Sequence, residues 1–297
     1  MTNEKMSFQF AFEKYKRGEL NLQSFLDMLK TGEVEFESDE HTKYSDDKTY
    51  TYEEYERLVA EIERYFDIVN YNRDECPICG GKGYVFITDG DNTYFKECIC
   101  QRVNEYQNML KESGISEAFR NKTFDNFVEW NDVVKQAKKM AVDYVKNFNE
   151  IREQPNNSIA FLGQVGAGKT HLSIAIANEL MKRLIGVLYM PYREAILKLK
   201  QNIMDEEEYE EIMEEYKTCP VLLIDDLYKG KVTDSDIAIM FEIINYRYFT
   251  GLPIIVSSEY KIKDLLQIDE AVGSRIIEMC KGHLIEFSGK ELNYRLR

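Results

Sequence analysis

No stretch of this 297-residue sequence approaches the run of about 20 apolar residues that a membrane-spanning helix needs. The first six residues, Met-Thr-Asn-Glu-Lys-Met, also lack the basic-then-apolar pattern of a secretory signal peptide. Hydrophobic residues make up 44% and charged residues 31% of the chain, which is typical of a globular protein with a sizeable core. We therefore expect a cytoplasmic protein with about two domains.

Basic residues are scarce relative to acidic ones. The chain has 38 Lys and Arg against 53 Asp and Glu, a formal charge of −15, which argues against a protein that coats nucleic acid through bulk electrostatics. Any contact with single-stranded DNA is therefore expected to be local and weak. Residues 1–75 hold 19 acidic and 10 basic side chains and so carry −9 of this charge. This acidic segment fits either a basic protein partner or a solvated helical surface.

Four of the six cysteines cluster as a C-x-x-C pair and a C-x-C pair: Cys76, Cys79, Cys98 and Cys100. Between the pairs, 84–87 and 94–95 predict the strands of a β-hairpin with its turn at 89–92, which brings the second pair back to the first. Four thiolates suit a structural Zn²⁺ site without an open position for water, and the metal would supply about 10 kcal/mol of folding energy. Reduced, unliganded thiols are the alternative. A catalytic redox pair is disfavoured because no βαβ pattern surrounds the cysteines.

Residues 1–72 are expected to be helical and to lack strands. Thr51 and Glu54 have the spacing of a capping box. Apolar residues then recur at three- and four-residue steps: Tyr52, Tyr55, Leu58, Val59, Ile62, Tyr65, Phe66 and Val69. A shorter stripe of the same kind comprises Leu22, Phe25, Leu26 and Leu29. Such stripes serve internal packing or a partner surface, and the polar stretch 33–48 is expected to be a connecting loop.

From about residue 113 onward, strand patterns alternate with helix patterns. Five short apolar runs bounded by loop signals are the candidate strands: 158–162, 186–190, 221–225, 253–257 and 283–287. Strands that alternate with crossover helices form a parallel sheet, so we predict an α/β fold with five parallel strands. The expected domains are a helical segment at 1–72, a four-cysteine module with a linker helix at 73–112, and the α/β domain at 113–297.

The most specific motif is a complete phosphate-binding loop, G-x-x-x-x-G-K-T, between the first apolar run and a helical stretch. Its residues are Gly163, Gln164, Val165, Gly166, Ala167, Gly168, Lys169 and Thr170, followed directly by His171. Glycines let consecutive backbone N–H groups turn towards phosphates, Lys169 adds a positive charge, and the Thr170 hydroxyl is suited to ligate Mg²⁺. The positive end of the following helix also points at the anion. We therefore predict binding of a nucleoside triphosphate with Mg²⁺.

Two further strands end in polar residues that should meet the loop at the same edge of the sheet. The third run ends in Asp225 and Asp226. Asp225 is suited to hold Mg²⁺ through water, and Asp226 to orient or deprotonate the attacking water. An exposed Asp-Asp turn is the alternative. The fourth run is followed by Ser258 and Glu259, either of which is expected to touch the water or the γ-phosphate.

Together these motifs resemble the AAA+ ATPases of the DnaC/DnaI replicative-helicase loader class. From residue 114 the resemblance rests on Gly-Ile-Ser-Glu, Lys-Thr-Phe-Asp-Asn-Phe, the phosphate loop with His-Leu, Leu-Leu-Ile-Asp-Asp-Leu, Asn-Tyr-Arg-Tyr and Gly-Ser-Arg. DnaI-type loaders have an N-terminal helicase-binding domain with a zinc site, so the cysteine cluster extends the resemblance. Residues 1–75 resemble that domain only in their general character and share no specific motif with it. The resemblance implies ATP-dependent opening or remodelling of a hexameric DnaB-type helicase for placement on single-stranded DNA.

The same resemblance assigns three arginines. Arg275 is implied to be the finger that acts on the ATP site of an adjacent protomer; without the resemblance, a surface salt bridge would be the simpler reading. Arg247 is implied to lie at the subunit face, and Arg295 to be the C-terminal sensor. The segment 192–217 resembles the helical insertion of initiators and loaders that faces single-stranded DNA. Its start is basic, but its acidic end at 205–215 opposes contact with DNA.

Two features depart from the class. Glu259 stands where the class usually has Asn, so its charge is expected to repel the γ-phosphate unless it turns away, and to slow turnover. Ten residues follow Phe287, too few for the helical lid that most AAA+ proteins fold over the nucleotide. We therefore expect a neighbouring subunit to cover the nucleotide, and an isolated monomer to have weak ATPase activity.

The sequence thus predicts an ATPase that self-associates through its ATP site and loads a DnaB-type helicase during initiation of DNA replication. One alternative is a transposition helper ATPase of the IstB type, which shares the ATPase motifs but is more compact at its N-terminal end. Another is a nucleotide-regulated adaptor that binds a helicase and inhibits it.

Overall fold

The computed structural model describes residues 6–7, 34–35, 49–64, 76, 78–89 and 92–296. These residues belong to two compact units, divided between Glu105 and Tyr106. No helix among them is both long and apolar enough to cross a membrane. The predicted apolar stripe at 22–29, and the end of the second stripe at 65–69, lie outside the described residues.

The first unit contains a three-stranded sheet. Its elements in chain order are β1 (Met6–Ser7), β2 (Val34–Glu35), β3 (Thr49–Thr51), α1 (Tyr52–Arg64), β4 (Tyr84–Asp89), β5 (Asn92–Glu97) and the start of α2 (Ile99–Glu112). β1 pairs with β2 in parallel, β3 pairs with β4 in parallel, and β4 pairs with β5 in the antiparallel sense. Asp89 pairs with Asn92, which confirms the predicted hairpin with a tight turn.

The prediction that residues 1–72 lack strands was wrong. β3 precedes α1 directly, and β2 lies in the stretch that was expected to be a loop. In β3 the side chains alternate, with Tyr50 buried between two exposed threonines. The two threonines and the tyrosine of β3 favour a strand. A strand of three residues nevertheless depends on its pairing with β4, and that pairing cannot be seen in the sequence.

The capping box predicted for α1 is confirmed. The Thr51 N–H donates to Glu54 Oε2 (2.8 Å), and the Glu54 N–H donates to Thr51 Oγ1 (3.3 Å). Tyr55, from the predicted apolar stripe, is buried. Its hydroxyl donates to the Glu97 carbonyl (2.8 Å) and accepts from the Ile99 N–H (3.1 Å). These bonds fix α1 to the end of the hairpin, so this part of the stripe serves internal packing.

The second unit alternates strands with helices. After α2 its elements are α3 (Glu117–Arg120), α4 (Asp132–Lys146), α5 (Phe148–Ile151), β6 (Ile159–Gly163), α6 (Lys169–Lys182), β7 (Val187–Pro191), α7 (Tyr192–Gln201), α8 (Glu206–Thr218), β8 (Val221–Asp225), α9 (Asp234–Thr250), β9 (Ile254–Ser258), α10 (Ile262–Ile268), α11 (Glu270–Met279) and β10 (Leu284–Phe287). Two 3₁₀ turns follow, at Lys290–Leu292 and Tyr294–Leu296. All five predicted strands are present, and their bounds differ from the predicted ones by at most one residue.

The five strands form one parallel sheet in the order β10-β6-β9-β8-β7. Every residue of β6, β8 and β9 is buried, as expected for central strands that helices cover on both faces. The predicted α/β fold with a parallel sheet is therefore confirmed. Because β9 lies between β6 and β8, the phosphate loop and the polar ends of β8 and β9 meet at one edge of the sheet.

Arg247 of α9 lies in the interior of this unit and is fully buried. Its Nη1 donates to the carbonyl oxygens of Tyr216, Lys217 and Cys219 (3.0, 3.0 and 2.9 Å). Its Nη2 donates to the Pro253 carbonyl (2.8 Å). The guanidinium thus joins the end of α8 to the start of β9. The assignment of Arg247 to a subunit face was wrong, because the side chain has no exposed surface and both of its Nη groups donate within the fold.

Candidate functional site

The phosphate loop connects β6 to α6 through three glycines in left-handed conformations. Gly163, Gly166 and Gly168 have φ angles of 96°, 74° and 88°. A Cβ at Gly163 would lie 2.3 Å from the Phe287 carbonyl oxygen in β10, and a Cβ at Gly168 would lie 2.7 Å from Cε2 of Phe127. The loop therefore requires glycine both for its backbone shape and for its close neighbours. Such a backbone turns consecutive N–H groups inward and forms an anion-binding cradle.

Lys169 begins α6 and supplies a cation inside this cradle. Its side chain is buried, and Nζ donates to the carbonyl oxygens of Gly163 and Gln164, both at 2.8 Å. Burial lowers the pKa of Lys169 to about 8, and nearby carboxylates, above all Asp226, oppose that shift. The side chain is therefore mostly charged at neutral pH and offers an ammonium to a phosphate.

Three hydroxyl groups surround the Asp225 carboxylate at the end of β8. Thr170 Oγ1 donates to Oδ1 (2.8 Å), the Ser257 hydroxyl donates to the same oxygen, and the Tyr189 hydroxyl donates to Oδ2 (3.1 Å). Burial raises the pKa of Asp225, while these hydrogen bonds favour the ionised form. A carboxylate and a threonine hydroxyl side by side are hard oxygen ligands, which is the donor set that Mg²⁺ prefers beside phosphate groups.

Ser257, and not Ser258, faces this site. The Ser257 hydroxyl contacts Asp225 and accepts from the Asp226 N–H (2.9 Å). Ser258 points to the other face of β9, where its hydroxyl donates to the Leu227 carbonyl (2.8 Å). The prediction that Ser258 touches the γ-phosphate was therefore wrong. Successive side chains of a strand alternate between faces, so an error of one residue exchanges the two serines.

A lysine that the sequence analysis missed pairs with two carboxylates at the same edge. Lys229 Nζ lies 2.6 Å from Asp226 Oδ2 and 3.1 Å from Glu259 Oε1. Glu259 does not turn away from the site, as it lines the same cavity as the phosphate loop. Its charge is met by Lys229. The sequence could have indicated this ion pair, because Lys229 follows Asp226 by three residues and a tight turn brings the two side chains together.

The phosphate loop, Asp225, Asp226, Lys229 and Glu259 line one cavity of about 610 Å³, a volume within the range of about 300–1,000 Å³ that is common for ligand sites. The cavity wall also includes amide, aromatic and cationic side chains, among them Asn126, Phe127, Trp130, His171, Tyr294 and Arg295. The Trp130 and Tyr294 rings are 4.8 Å apart, and the Phe127 and His171 rings 5.0 Å apart. Such a wall suits a flat heterocyclic base. Sequence analysis had picked out His171 and Arg295, but not the aromatic residues.

Arg275 lies on α11, away from the residues that line this cavity. Its guanidinium is 5.3 Å from the ring centre of Phe241 and 5.5 Å from that of Tyr248, and Nη1 donates to the Ala271 carbonyl (2.9 Å). An arginine held in this way does not serve the ATP site of its own chain. Its action on an adjacent protomer stays a prediction.

The segment 192–217 forms two helices, α7 and α8. Two of its basic side chains are used within the chain: Lys198 Nζ lies 3.8 Å from Glu208 Oε1, and Lys200 pairs with Asp236 and donates to Thr233 Oγ1 (2.9 Å). Their charges are thereby partly neutralised. Contact of this segment with single-stranded DNA stays a prediction.

The first unit contains a separate candidate site, formed by four buried cysteine sulfurs. The Sγ atoms of Cys76, Cys79, Cys98 and Cys100 all lie within 4.8 Å of one another. The closest pairs are 3.7 Å and 3.5 Å apart. Four sulfurs at about 2.3 Å from a tetrahedral zinc ion would be about 3.8 Å apart, so the cluster fits Zn²⁺. The Gly83 N–H also donates to Cys79 Sγ (3.2 Å), a bond that stabilises a thiolate.

The second unit thus has the architecture of a P-loop ATPase: a glycine-rich loop after β6, an acidic end of β8, and β9 between them with polar groups at its end. The sequence model of the family described as Bacterial DnaA ATPase domain matches residues 119–280, more than half of the chain. The chain therefore belongs to this family of AAA+ ATPases. The resemblance to loader-type AAA+ proteins and the prediction of ATPase activity are confirmed.

Relatives in Bacillus subtilis (strain 168) extend this result. The protein YqaM is 39% identical over 215 residues, which are 69% of this chain and 68% of YqaM. The phage-like element PBSX protein XkdC is 37% identical over 235 residues, which are 76% of this chain and 87% of XkdC. The replicative helicase loader DnaI is 27% identical over 178 residues, which are 58% of this chain and 56% of DnaI.

Proposed function

We propose that this protein uses ATP to load a hexameric DnaB-type replicative helicase onto single-stranded DNA. The four-sulfur cluster in the unit that precedes the ATPase unit carries the proposal. Binding and hydrolysis of ATP need only the cavity of the second unit. A small unit that a metal stabilises offers a rigid surface for a protein partner. The similarity to the helicase loader DnaI supports a helicase as that partner.

In the first unit, we infer that the four cysteines hold a structural Zn²⁺. Their sulfurs are buried and lie within 4.8 Å of one another, which is close enough for all four to bind one tetrahedral ion. The metal would supply much of the folding free energy of the small four-cysteine module. The acidic segment 1–75 is then available for a helicase surface of opposite charge, with 1–72 as the helicase-binding segment.

In the second unit, the loop amides and Lys169 would bind the triphosphate, and Thr170 and Asp225 would hold Mg²⁺. The metal neutralises part of the phosphate charge when it is bound. Asp226 orients or deprotonates the attacking water, and Ser257 fixes Asp225 and the Asp226 backbone together. Arg275 of an adjacent protomer would stabilise the charge of the transferred phosphoryl group.

The test is a loading assay with the host replicative helicase. The helicase should co-purify with this protein and should move onto circular single-stranded DNA when ATP is added. Asp226→Asn should trap the complex with the helicase and stop loading. Asp143→Asn, which changes an exposed carboxylate of α4, is the matched control and should load normally.

Three outcomes would contradict the proposal. Helicase that never reaches DNA in the presence of ATP, with Asp226→Asn behaving as wild type, would indicate an inhibitory adaptor. Assembly of this protein on DNA with a transposase and without helicase would indicate a transposition helper. Absence of any complex with the helicase would exclude loading.

A further inference from the structure

Asp226 and Glu259 follow neighbouring strands and share the ammonium group of Lys229. The Nζ distances are 2.6 Å and 3.1 Å. The side chains are 33%, 31% and 45% exposed for Asp226, Glu259 and Lys229, respectively. Ion pairs with this exposure contribute little to folding, so stability does not explain why they meet here. All three side chains line the cavity that holds the phosphate loop.

The turn that carries Lys229 has an unusual backbone. Asp226 and Tyr228 have φ angles of 57° and 64°, a left-handed conformation that is costly for residues with a Cβ. The turn is closed by the Lys229 N–H, which donates to the Asp226 carbonyl (3.0 Å), and the Leu227 N–H donates to the Ser257 carbonyl (2.9 Å). The side chain of Tyr228, within this turn, is buried and so holds the turn to the core. The fold thus enforces a conformation that brings Lys229 over the ends of β8 and β9.

The balance of charge at this edge depends on Lys229. Three carboxylates, those of Asp225, Asp226 and Glu259, line the cavity near two ammonium groups, Lys169 and Lys229. Without Lys229, these three negative charges would be met by one positive charge fewer where a triphosphate has to bind. A low-dielectric site strengthens such repulsion. A neutral side chain in place of Glu259 would not need a counter-ion.

We propose that Lys229 is a positioning residue of the ATPase reaction with two separable effects. Its ammonium holds the Asp226 carboxylate in one orientation, and it cancels the charge of Glu259 next to the phosphates. The first effect rests on the proposed role of Asp226 and acts on turnover. The second acts on nucleotide affinity and does not depend on Asp226. Neither effect depends on whether the protein loads a helicase.

The test compares Lys229→Met, Lys229→Arg, Glu259→Gln and the double variant Lys229→Met/Glu259→Gln. Affinity is measured by calorimetry with a non-hydrolysable ATP analogue and Mg²⁺, and turnover by phosphate release. Lys229→Met should weaken analogue binding by about tenfold. It should also lower kcat by about tenfold, which is a part of the 10²–10⁴-fold rate increase that a positioned base contributes. Lys229→Arg keeps the charge and should stay within about threefold of wild type in both. Lys231→Met removes a neighbouring exposed charge and should change neither.

The double variant separates the two effects. Removing the Glu259 charge should restore analogue affinity to within about threefold of wild type, while kcat stays low because Asp226 is still unheld. Glu259→Gln alone should bind the analogue at least as tightly as wild type. Wild-type affinity and kcat in Lys229→Met would overturn the proposal. So would a double variant whose affinity stays as weak as that of Lys229→Met, or weaker binding by Glu259→Gln. Thermal melting confirms that each variant is folded.

Discussion

Replacement of Arg247 by methionine should destabilise the ATPase unit while leaving the residues of the nucleotide cavity in place. The buried guanidinium donates to the carbonyls of Tyr216, Lys217, Cys219 and Pro253. Hydrogen bonds to a charged donor contribute about 1.5–3 kcal/mol each. Burial lowers the pKa of Arg247, which reflects the cost of placing its charge in the interior and offsets part of that gain.

The size of the loss follows from the carbonyls that methionine leaves unpaired. The Pro253 carbonyl keeps a second donor, the Leu222 N–H at 3.3 Å. Three part-buried carbonyls then lose a charged donor, at about 1–3 kcal/mol each, less the relieved burial of the charge. We expect a net loss of about 4 kcal/mol of unfolding free energy. For a unit of this size, that corresponds to a fall in Tm of about 8–16 °C.

The measurement is thermal and urea unfolding followed by circular dichroism, with Arg275→Met as the matched control. Arg275 is half-buried against Phe241 and Tyr248, so its replacement should cost no more than about 1 kcal/mol. Arg275→Met should instead lose ATPase activity and regain it when mixed with subunits that carry Asp226→Asn. An Arg247→Met variant that melts within about 2 °C of wild type would refute the structural role.

Three further predictions concern the sites themselves. Ser257→Ala should lower kcat by about 10- to 100-fold, whereas Ser258→Ala should stay within about threefold; equal effects would contradict the observed strand register. Because the pKa of Lys169 is lowered to about 8 and phosphate binds its charged form, ATP affinity should fall as the pH rises above about 8; calorimetry that finds constant affinity up to about pH 9.5 would contradict this. Atomic emission should find one zinc per chain that is lost in Cys98→Ser and kept in Cys219→Ser; metal-free folded wild type would exclude the zinc site.

The parts of the site that sequence predicts well are those encoded locally. The phosphate loop needs glycine at fixed positions, a lysine and a threonine, and no distant residue changes that requirement. Asp225 follows four buried apolar residues, so its place at the end of a strand was visible before the structure. The bounds of the five strands were predicted to within one residue for the same reason. The local sequence pattern was therefore sufficient to predict where the backbone of the site lies.

The side chains that sequence misplaced depend on pairing between elements. Ser257 and Ser258 are both small and polar, and only the register of β9 against β6 and β8 decides which one faces Asp225. The rings of Trp130 and Tyr294 pack together in the wall of the cavity, although 164 positions separate the two residues in the sequence. Arg247 stands between two tyrosines, a context that resembles a surface, yet its neighbours in space are the end of α8 and the start of β9. No local pattern contains these contacts.

Glu259 shows how a departure from a family pattern is read differently once the fold is known. From the sequence, a carboxylate at the sensor position implied repulsion of the γ-phosphate and slow turnover. In the structure Glu259 meets an ammonium that comes from the turn after the neighbouring strand, and the same ammonium contacts Asp226. A carboxylate beside the phosphates would be unfavourable alone, but here its charge is offset by the ammonium that also holds Asp226. The effect of Glu259 on turnover is therefore a property of the pair, and only a double substitution can measure it.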